Sequence, residues 1–140
     1  MEDLMTIEEN LILDLTSERR TTYCSIIPKS EKEETALFNG VNNPDKRLRE
    51  FVNMPLEITN VYVEVVNTTN KTTGEVSQSP RIILFDKDGV SYTAVSLGVY
   101  GALKKLFSFK GTPDKWNGPI TIIPKTVSKG EYNILTFLIK

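Results

Sequence analysis

Apolar and polar residues alternate most clearly between residues 58 and 66, where Val61, Val63 and Val65 lie on one side of the pattern and Tyr62 lies on the other. Alternation with a period of two predicts a strand that has one buried face. Residues 97–107 place apolar side chains three and four positions apart and predict a short amphipathic helix. Runs of β-branched and aromatic residues predict further strands, which cover residues 21–27, 81–85, 90–95, 120–127 and 132–139.

Polar segments that are rich in turn-forming residues separate these elements. Residues 67–79 predict a long polar connection, and Asp88 followed by Gly89 between two apolar runs predicts a hairpin. Residues 29–55 are polar and interrupted by glycine and proline, and within them only residues 46–52 have a helical pattern. This segment is therefore predicted to be mostly irregular.

The predicted order after residue 56 is three strands, one helix and two strands. This is the order of the OB-fold, a five-stranded Greek-key barrel. An SH3-like barrel would lack the helix, and a ferredoxin-like fold would need a helix after its first strand, where this chain has a polar connection. We therefore predict an all-β domain over residues 21–140, an OB-fold barrel with an added N-terminal strand. Residues 1–20 follow neither period, and we predict that they form a flexible tail.

The composition narrows the chemistry that the chain can perform. Its 140 residues include no histidine and a single cysteine, Cys24. A nucleophile activated by histidine cannot be built, and neither can a cysteine-rich zinc site or an intramolecular disulfide. The sequence contains no phosphate-cradling glycine loop with its lysine. We therefore expect no enzymatic activity, no cofactor and no bound metal.

The net charge of −1 conceals an uneven distribution along the chain. Residues 1–34 carry nine acids and four bases, whereas residues 81–140 carry nine bases and four acids. A basic surface on the C-terminal part would attract a polyanion. No apolar run is long enough to cross a bilayer, and the N-terminus has no basic region of the signal-peptide type. We expect a cytoplasmic protein without a membrane partner.

Three short motifs carry a resemblance to known proteins. They are SYTAVS at residues 91–96, WNGPITI at residues 116–122 and GEY at residues 130–132. In this order the motifs resemble the single-stranded-DNA-binding proteins of Gram-positive mobile elements, which are compact OB-fold proteins of phages and conjugative plasmids. The resemblance covers residues 56–140. It implies an OB-fold whose partner is single-stranded DNA, with duplex DNA and RNA left open.

An OB-fold binds single strands by stacking bases on aromatic side chains. Tyr62 is the preferred platform, because it alternates away from the valine stripe. Phe85 and Tyr92 lie on the strands that this fold generally uses for binding, although Phe85 also suits the core. Trp116 lies in a Gly/Pro-rich loop and would serve either as a stacking platform or as a plug at the barrel mouth.

Basic residues of such a site follow the phosphates. Lys71 lies in the first long connection, which commonly closes over the ligand in this fold, and Arg81 and Lys87 bracket the second strand. These three are the preferred phosphate contacts, and Lys125 on the closing hairpin is a further candidate. The lysines of the predicted helix are interpreted as facing solvent.

We therefore predict a protein that coats single-stranded DNA largely without sequence specificity, in plasmid conjugation or phage replication. A second interpretation is a protein-interaction adaptor that docks through its acidic N-terminal tail. The tail carries apolar side chains that the barrel need not bury, so it would join one molecule head-to-tail to the next, with docking on its own barrel as the alternative. The residues predicted to make this contact are Leu4, Ile7, Leu11, Ile12 and Leu13.

Overall fold

The computed structural model describes residues 22–140. The elements in chain order are β1 (Thr22–Cys24), α1 (Glu31–Asn42), β2 (Lys46–Arg47), a 3₁₀ turn (Leu48–Phe51), β3 (Leu56–Thr69), β4 (Val76–Asp86), β5 (Ser91–Val95), α2 (Leu97–Lys110), a second 3₁₀ turn (Pro113–Lys115), β6 (Ile120–Lys129) and β7 (Tyr132–Ile139). The predicted tail, with its five contact residues, lies outside the described residues. β1 lies within the added strand predicted before the barrel.

The strands form one curled sheet in the order β2-β5-β4-β3-β6-β7, and β1 pairs with β3 off this path. A bulge between Ile58 and Asn60 bends β3, so that it pairs with β4 along most of its length and with β6 through residues 56–58. The order from β3 to β7, with α2 between β5 and β6, is the predicted one. The prediction of an OB-like all-β fold is confirmed.

α2 follows β5 along the chain and packs against β4 and β7. Ser96 begins the helix by accepting a hydrogen bond from the Val99 backbone nitrogen at 3.1 Å, and its hydroxyl donates to the Leu135 carbonyl on β7 at 3.2 Å. Gly98 lies so close to the same carbonyl that a Cβ atom would not fit. The inward face of α2 enters the core with five buried side chains, which are Val99, Tyr100, Leu103, Leu106 and Phe107.

The pairing register divides the side chains of β3, β4 and β5 between two faces, because residues that are directly opposite share a face. The inner face joins α2 in the core and carries Val61, Val63, Ile82, Leu84 and Tyr92. The outer face carries Tyr62, Arg81, Ile83, Phe85 and Thr93. α1 lies against this outer face, where Gly40 contacts the Phe85 ring.

The interpretation of residues 29–55 as mostly irregular is wrong. The Ser30 hydroxyl accepts a hydrogen bond from the Glu33 backbone nitrogen at 3.2 Å, and acids fill the first turn of α1, as is usual at the start of a helix. The inward side of α1 is narrow, with half-buried Leu37, Gly40 and Val41 three and four positions apart and no buried residue, so its pattern is weak within a polar segment. The predicted helix at residues 46–52 is β2 and a 3₁₀ turn, since Lys46 and Arg47 pair with the edge of β5.

The predicted polar connection at residues 67–79 is mostly a two-stranded ribbon. β3 and β4 remain paired as far as Thr69 and Val76, so that only residues 70–75 form the turn. The Asn70 side chain organises this turn by accepting hydrogen bonds from the backbone nitrogens of Thr72 and Thr73 at 2.8 and 3.1 Å. The ribbon is largely exposed, so its strands need no apolar face and show little alternation.

Candidate nucleic-acid interface

The outer face of the sheet aligns residues from four strands in one row. Arg47 on β2 is paired with Thr93 on β5, Thr93 with Ile83 on β4, and Ile83 with Tyr62 on β3. Neighbouring strands are about 4.8 Å apart, so the row spans roughly 14 Å. It leads from an exposed cation at one edge to an aromatic ring near the centre of the sheet.

The cationic end of the row borders an open groove of about 300 Å³. Arg47 and Arg49 line it together with Thr93, Val95 and Leu135, and Val95 is 52% exposed. Both arginines are exposed, and within residues 22–140 no ion pair or hydrogen bond engages their guanidinium groups. Free guanidinium groups beside an apolar surface can bind phosphates while bases contact the groove.

Arg47 and Arg49 are absent from the predicted site. The signal that could have identified them is the basic run Lys46-Arg47-Leu48-Arg49. In the predicted helix these cations would lie on different sides of the helix axis. The observed strand and 3₁₀ turn instead place the two arginines at one groove. Leu48 between them is fully buried and anchors the run to the core.

The aromatic end of the row is covered by α1. Tyr62, Arg81 and Phe85, all predicted as site residues, lie together there on the outer face. Arg81 donates from Nη1 to Glu64 Oε1 and from Nη2 to the Val41 carbonyl of α1, both at 2.6 Å. Burial, followed by the Glu64 carboxylate, raises the pKa of Tyr62 to about 12. Phe85 is only 6% exposed.

Tyr92 lies on the opposite face, in the core. It is paired with the inward-facing Leu84, is 6% exposed, and packs edge-on against Phe51 with ring centroids 5.1 Å apart. Its hydroxyl donates to Asp86 Oδ2 at 2.9 Å. Burial, and then this hydrogen bond, raise the pKa of Tyr92 to about 12. No face of the ring is available to a base in this structure.

Trp116 also contacts the core rather than the outer face. Its ring packs against the core cluster, and its Nε1 donates to the Gly111 carbonyl at 2.7 Å. This hydrogen bond joins the residue after the second 3₁₀ turn to the first residue of the loop that follows α2. The ring of Trp116 is therefore partly buried in this structure.

The three predicted lysines are separated from the row and from one another. Lys71 is exposed in the β3–β4 turn, and Lys125 on β6 donates to Asn53 Oδ1 at 2.7 Å. Lys87 lies in the β4–β5 turn with its Nζ 2.7 Å from Glu57 Oε2, and this hydrogen bond raises the pKa of Lys87. The structure thus brings Tyr62, Arg81 and Phe85 together. Lys87 lines a cavity of about 300 Å³ together with Phe85, whereas Lys71 and Lys125 belong to the β3–β4 turn and to β6.

Other kinds of site have little basis in the described part of the chain. Within residues 22–140 no group of three acidic, cysteine or histidine side chains could hold a metal ion. Among the same residues, no helix has the length and apolar character needed to span a membrane.

The curled sheet, the interposed helix and the groove with two exposed arginines define an OB-like protein with a surface suited to nucleic acid. The family model of the phage single-stranded DNA-binding protein matches residues 17–140, and the chain therefore belongs to this family. Its members are DNA-binding, non-enzymatic proteins whose partner is single-stranded DNA. The resemblance noted from the sequence is confirmed at this level. Comparisons with curated proteins and with solved structures give no match.

Proposed function

We propose that this protein coats single-stranded DNA largely without reading its sequence, in the cytoplasm, during phage replication or plasmid conjugation. The observation that carries the proposal is the groove with Arg47 and Arg49 on the edge of β5. Guanidinium groups that are exposed and unpaired can follow a phosphate backbone, and phosphate contacts carry no sequence information. Family membership supports single-stranded DNA as the partner, and the two exposed arginines support the groove as the proposed path of its backbone.

The charge of the described residues supports the same function. Residues 22–140 carry 15 lysine and arginine side chains and 12 acidic ones, whereas the tail contributes six acids and two arginines. Residues 22–140 therefore carry a net positive charge although the whole chain does not. Such a charge favours association with a polyanion and makes the association sensitive to salt.

A fluorescence anisotropy titration tests the proposal. Labelled oligothymidine, a mixed-sequence single strand, a duplex and an RNA strand are compared over a series of salt concentrations. We expect similar affinity for the two single-stranded DNAs and a loss of affinity as salt rises. Absence of binding at low salt, or a strong preference for one sequence, contradicts the proposal. The duplex and RNA arms define the range of partners.

We also propose that coating is cooperative through residues 1–20, which join one molecule head-to-tail to the next. The five apolar residues Leu4, Ile7, Leu11, Ile12 and Leu13 support this, because exposed apolar side chains are unfavourable in water. A head-to-tail contact that does not close into a ring produces an open chain of subunits. Such a chain matches the geometry of a protein laid along a DNA strand.

A further inference from the structure

The outer face of β3 and β4 is apolar at its centre and yet hidden from solvent. Ile83 is fully buried and Phe85 is 6% exposed, although neither belongs to the central core cluster. Gly40 of α1 approaches Phe85 so closely that a Cβ atom would lie 2.7 Å from the ring. Tyr62 is on the same face and is half-buried. An aromatic and apolar platform therefore lies beneath a helix, in line with the arginine groove.

α1 is attached to the sheet much less firmly than α2. None of its 12 residues is buried, whereas α2 buries five, and Phe38 of α1 is 65% exposed. Cavities of about 440 and 300 Å³ adjoin the helix, the first lined by Tyr62 and Arg81 and the second by Asn60 and Phe85. Short helices depend on tertiary packing for their stability, and α1 has little of it.

Arg81 supplies a polar attachment for α1. Its Nη2 donates to the Val41 carbonyl in the last turn of the helix, which has no basic residue of its own to compensate the negative end of the helix dipole. A DNA phosphate would compete for the same N–H groups. The first turn of α1 carries three acids, Glu31, Glu33 and Glu34, which would repel a DNA strand on this face. α1 and DNA are therefore competitors for one surface.

We propose that the face beneath α1 is a concealed base-binding platform, which is uncovered when single-stranded DNA displaces the helix. The inference rests on the proposed function and extends it. The DNA strand enters at the groove of Arg47 and passes Thr93. Its bases stack on Tyr62 and Phe85 once α1 has moved. Arg81 then exchanges the Val41 carbonyl for a phosphate. The seated helix is an autoinhibitory lid, and the fraction of molecules with an open lid scales the apparent affinity.

Hydrogen exchange measured by mass spectrometry on the full chain tests the displacement of α1. We expect the amides of residues 35–42 to exchange about tenfold faster when the protein is saturated with oligothymidine, while those of α2 stay protected. Unchanged or slower exchange in α1 overturns the proposal. Anisotropy on the same samples measures saturation. Absence of binding defeats the proposed function itself, whereas binding with α1 protected defeats only the lid.

Two glycines within helices provide a matched pair of variants. In Gly40→Ala the new methyl group meets the Phe85 ring, whereas in Gly101→Ala on α2 it meets nothing within 4 Å. Both changes raise helix propensity equally. The two variants therefore differ only in the contact with Phe85, which decides whether the helix can remain on the sheet. We expect Gly40→Ala to bind oligothymidine about threefold to tenfold more tightly, and Gly101→Ala to bind like the parent.

The exchange behaviour of the free variants completes this test. Gly40→Ala should show faster exchange in α1 before any DNA is added, because the helix no longer seats on Phe85. If it instead binds DNA as the parent does or more weakly, with α1 already lifted, the seated helix belongs to the DNA site and the lid is overturned. If Gly40→Ala fails to fold, hydrogen exchange in α1 of the parent, with and without oligothymidine, shows whether DNA displaces the helix.

Discussion

At the scale of single residues, what surrounds a guanidinium group decides what it can bind. Arg81 is held by Glu64 and by the Val41 carbonyl, whereas Arg47 and Arg49 have no partner among residues 22–140. An unpaired exposed arginine can bind a phosphate without first breaking an ion pair. The groove on β5 is therefore the first contact expected for DNA.

We expect the double variant Arg47→Gln, Arg49→Gln to weaken binding of oligothymidine. Loss of two phosphate contacts should reduce the slope of log affinity against log salt by about 1.4, or about 0.7 for each contact with a single strand. Anisotropy titrations over a salt series measure the slope. The matched control is Lys105→Gln, Lys110→Gln, which makes the same charge change on exposed positions of α2. An equal loss of affinity in both variants would show that the overall charge, rather than the groove, causes the effect.

Tyr92 is the residue for which burial makes a clear prediction about pH. Its pKa is about 12 in the folded protein, against about 10 in an unfolded chain. The folded state holds the hydroxyl proton of Tyr92 more tightly than the unfolded state does. Its contribution to the free energy of unfolding is therefore complete below about pH 10 and is lost as the pH rises towards 12. We expect the melting temperature to fall in that window, and to fall less steeply in Tyr92→Phe.

Thermal melts followed by circular dichroism from neutral pH to about pH 12 check this prediction. At neutral pH, Tyr92→Phe should be less stable by about 1 kcal/mol, because the hydrogen bond to Asp86 is lost, while its DNA affinity is unchanged. Tyr132→Phe is the control, since Tyr132 is 76% exposed and its hydroxyl makes no hydrogen bond within residues 22–140. If the melting temperatures of the parent and of Tyr92→Phe fall in parallel with pH, ionisation of Tyr92 is not the cause of the fall.

At the scale of elements, the two helices begin alike and contribute differently. Ser30 and Ser96 each accept a hydrogen bond from a backbone nitrogen three residues later, at 3.2 and 3.1 Å. Only Ser96 also joins its helix to a strand, through the Leu135 carbonyl. α2 is therefore part of the closure of the barrel, whereas α1 lies on its outside.

This contrast predicts different effects of the same substitution. Ser96→Ala should lower the free energy of unfolding by about 1 to 2 kcal/mol, since it removes a cap of a core helix. Ser30→Ala should leave global unfolding nearly unchanged and loosen α1 locally, because α1 buries no residue. Urea denaturation measures the first effect, and hydrogen exchange in α1 measures the second. Equal losses of global stability would mean that α1 folds as part of the core.

At the scale of the whole molecule, we predict separable roles for residues 22–140 and for residues 1–20. The core cluster is formed by residues from the barrel, α2 and the first 3₁₀ turn. We therefore expect the fold to persist when residues 1–20 are removed.

Deletion of residues 1–20 should preserve the melting temperature and the affinity for a short oligothymidine, but should abolish higher-order assemblies on long single-stranded DNA. Light scattering and electron microscopy of complexes on long DNA measure the assemblies. Assemblies that remain after deletion would exclude the tail as the connection between molecules. A product that fails to fold would show that the tail packs on its own barrel.

The sequence by itself determined the order of elements from β3 to β7 and the position of α2. These elements are half-buried, so their alternation and helical spacing record one buried and one exposed side. The motifs at residues 91–96, 116–122 and 130–132 likewise pointed to single-stranded DNA, and the family match agrees.

Only the tertiary structure decided which side chains on the sheet are accessible. Ser91 and Tyr92 on β5 face opposite sides of the sheet and are both buried, so β5 has no exposed side that would mark the orientation of its side chains. α1 covers Phe85 with a narrow apolar side and no buried residue, and Arg47 reaches the groove only because β2 pairs with β5. Local periodicity reports that a strand has two faces, but which elements cover each face depends on contacts between residues that are distant in the chain.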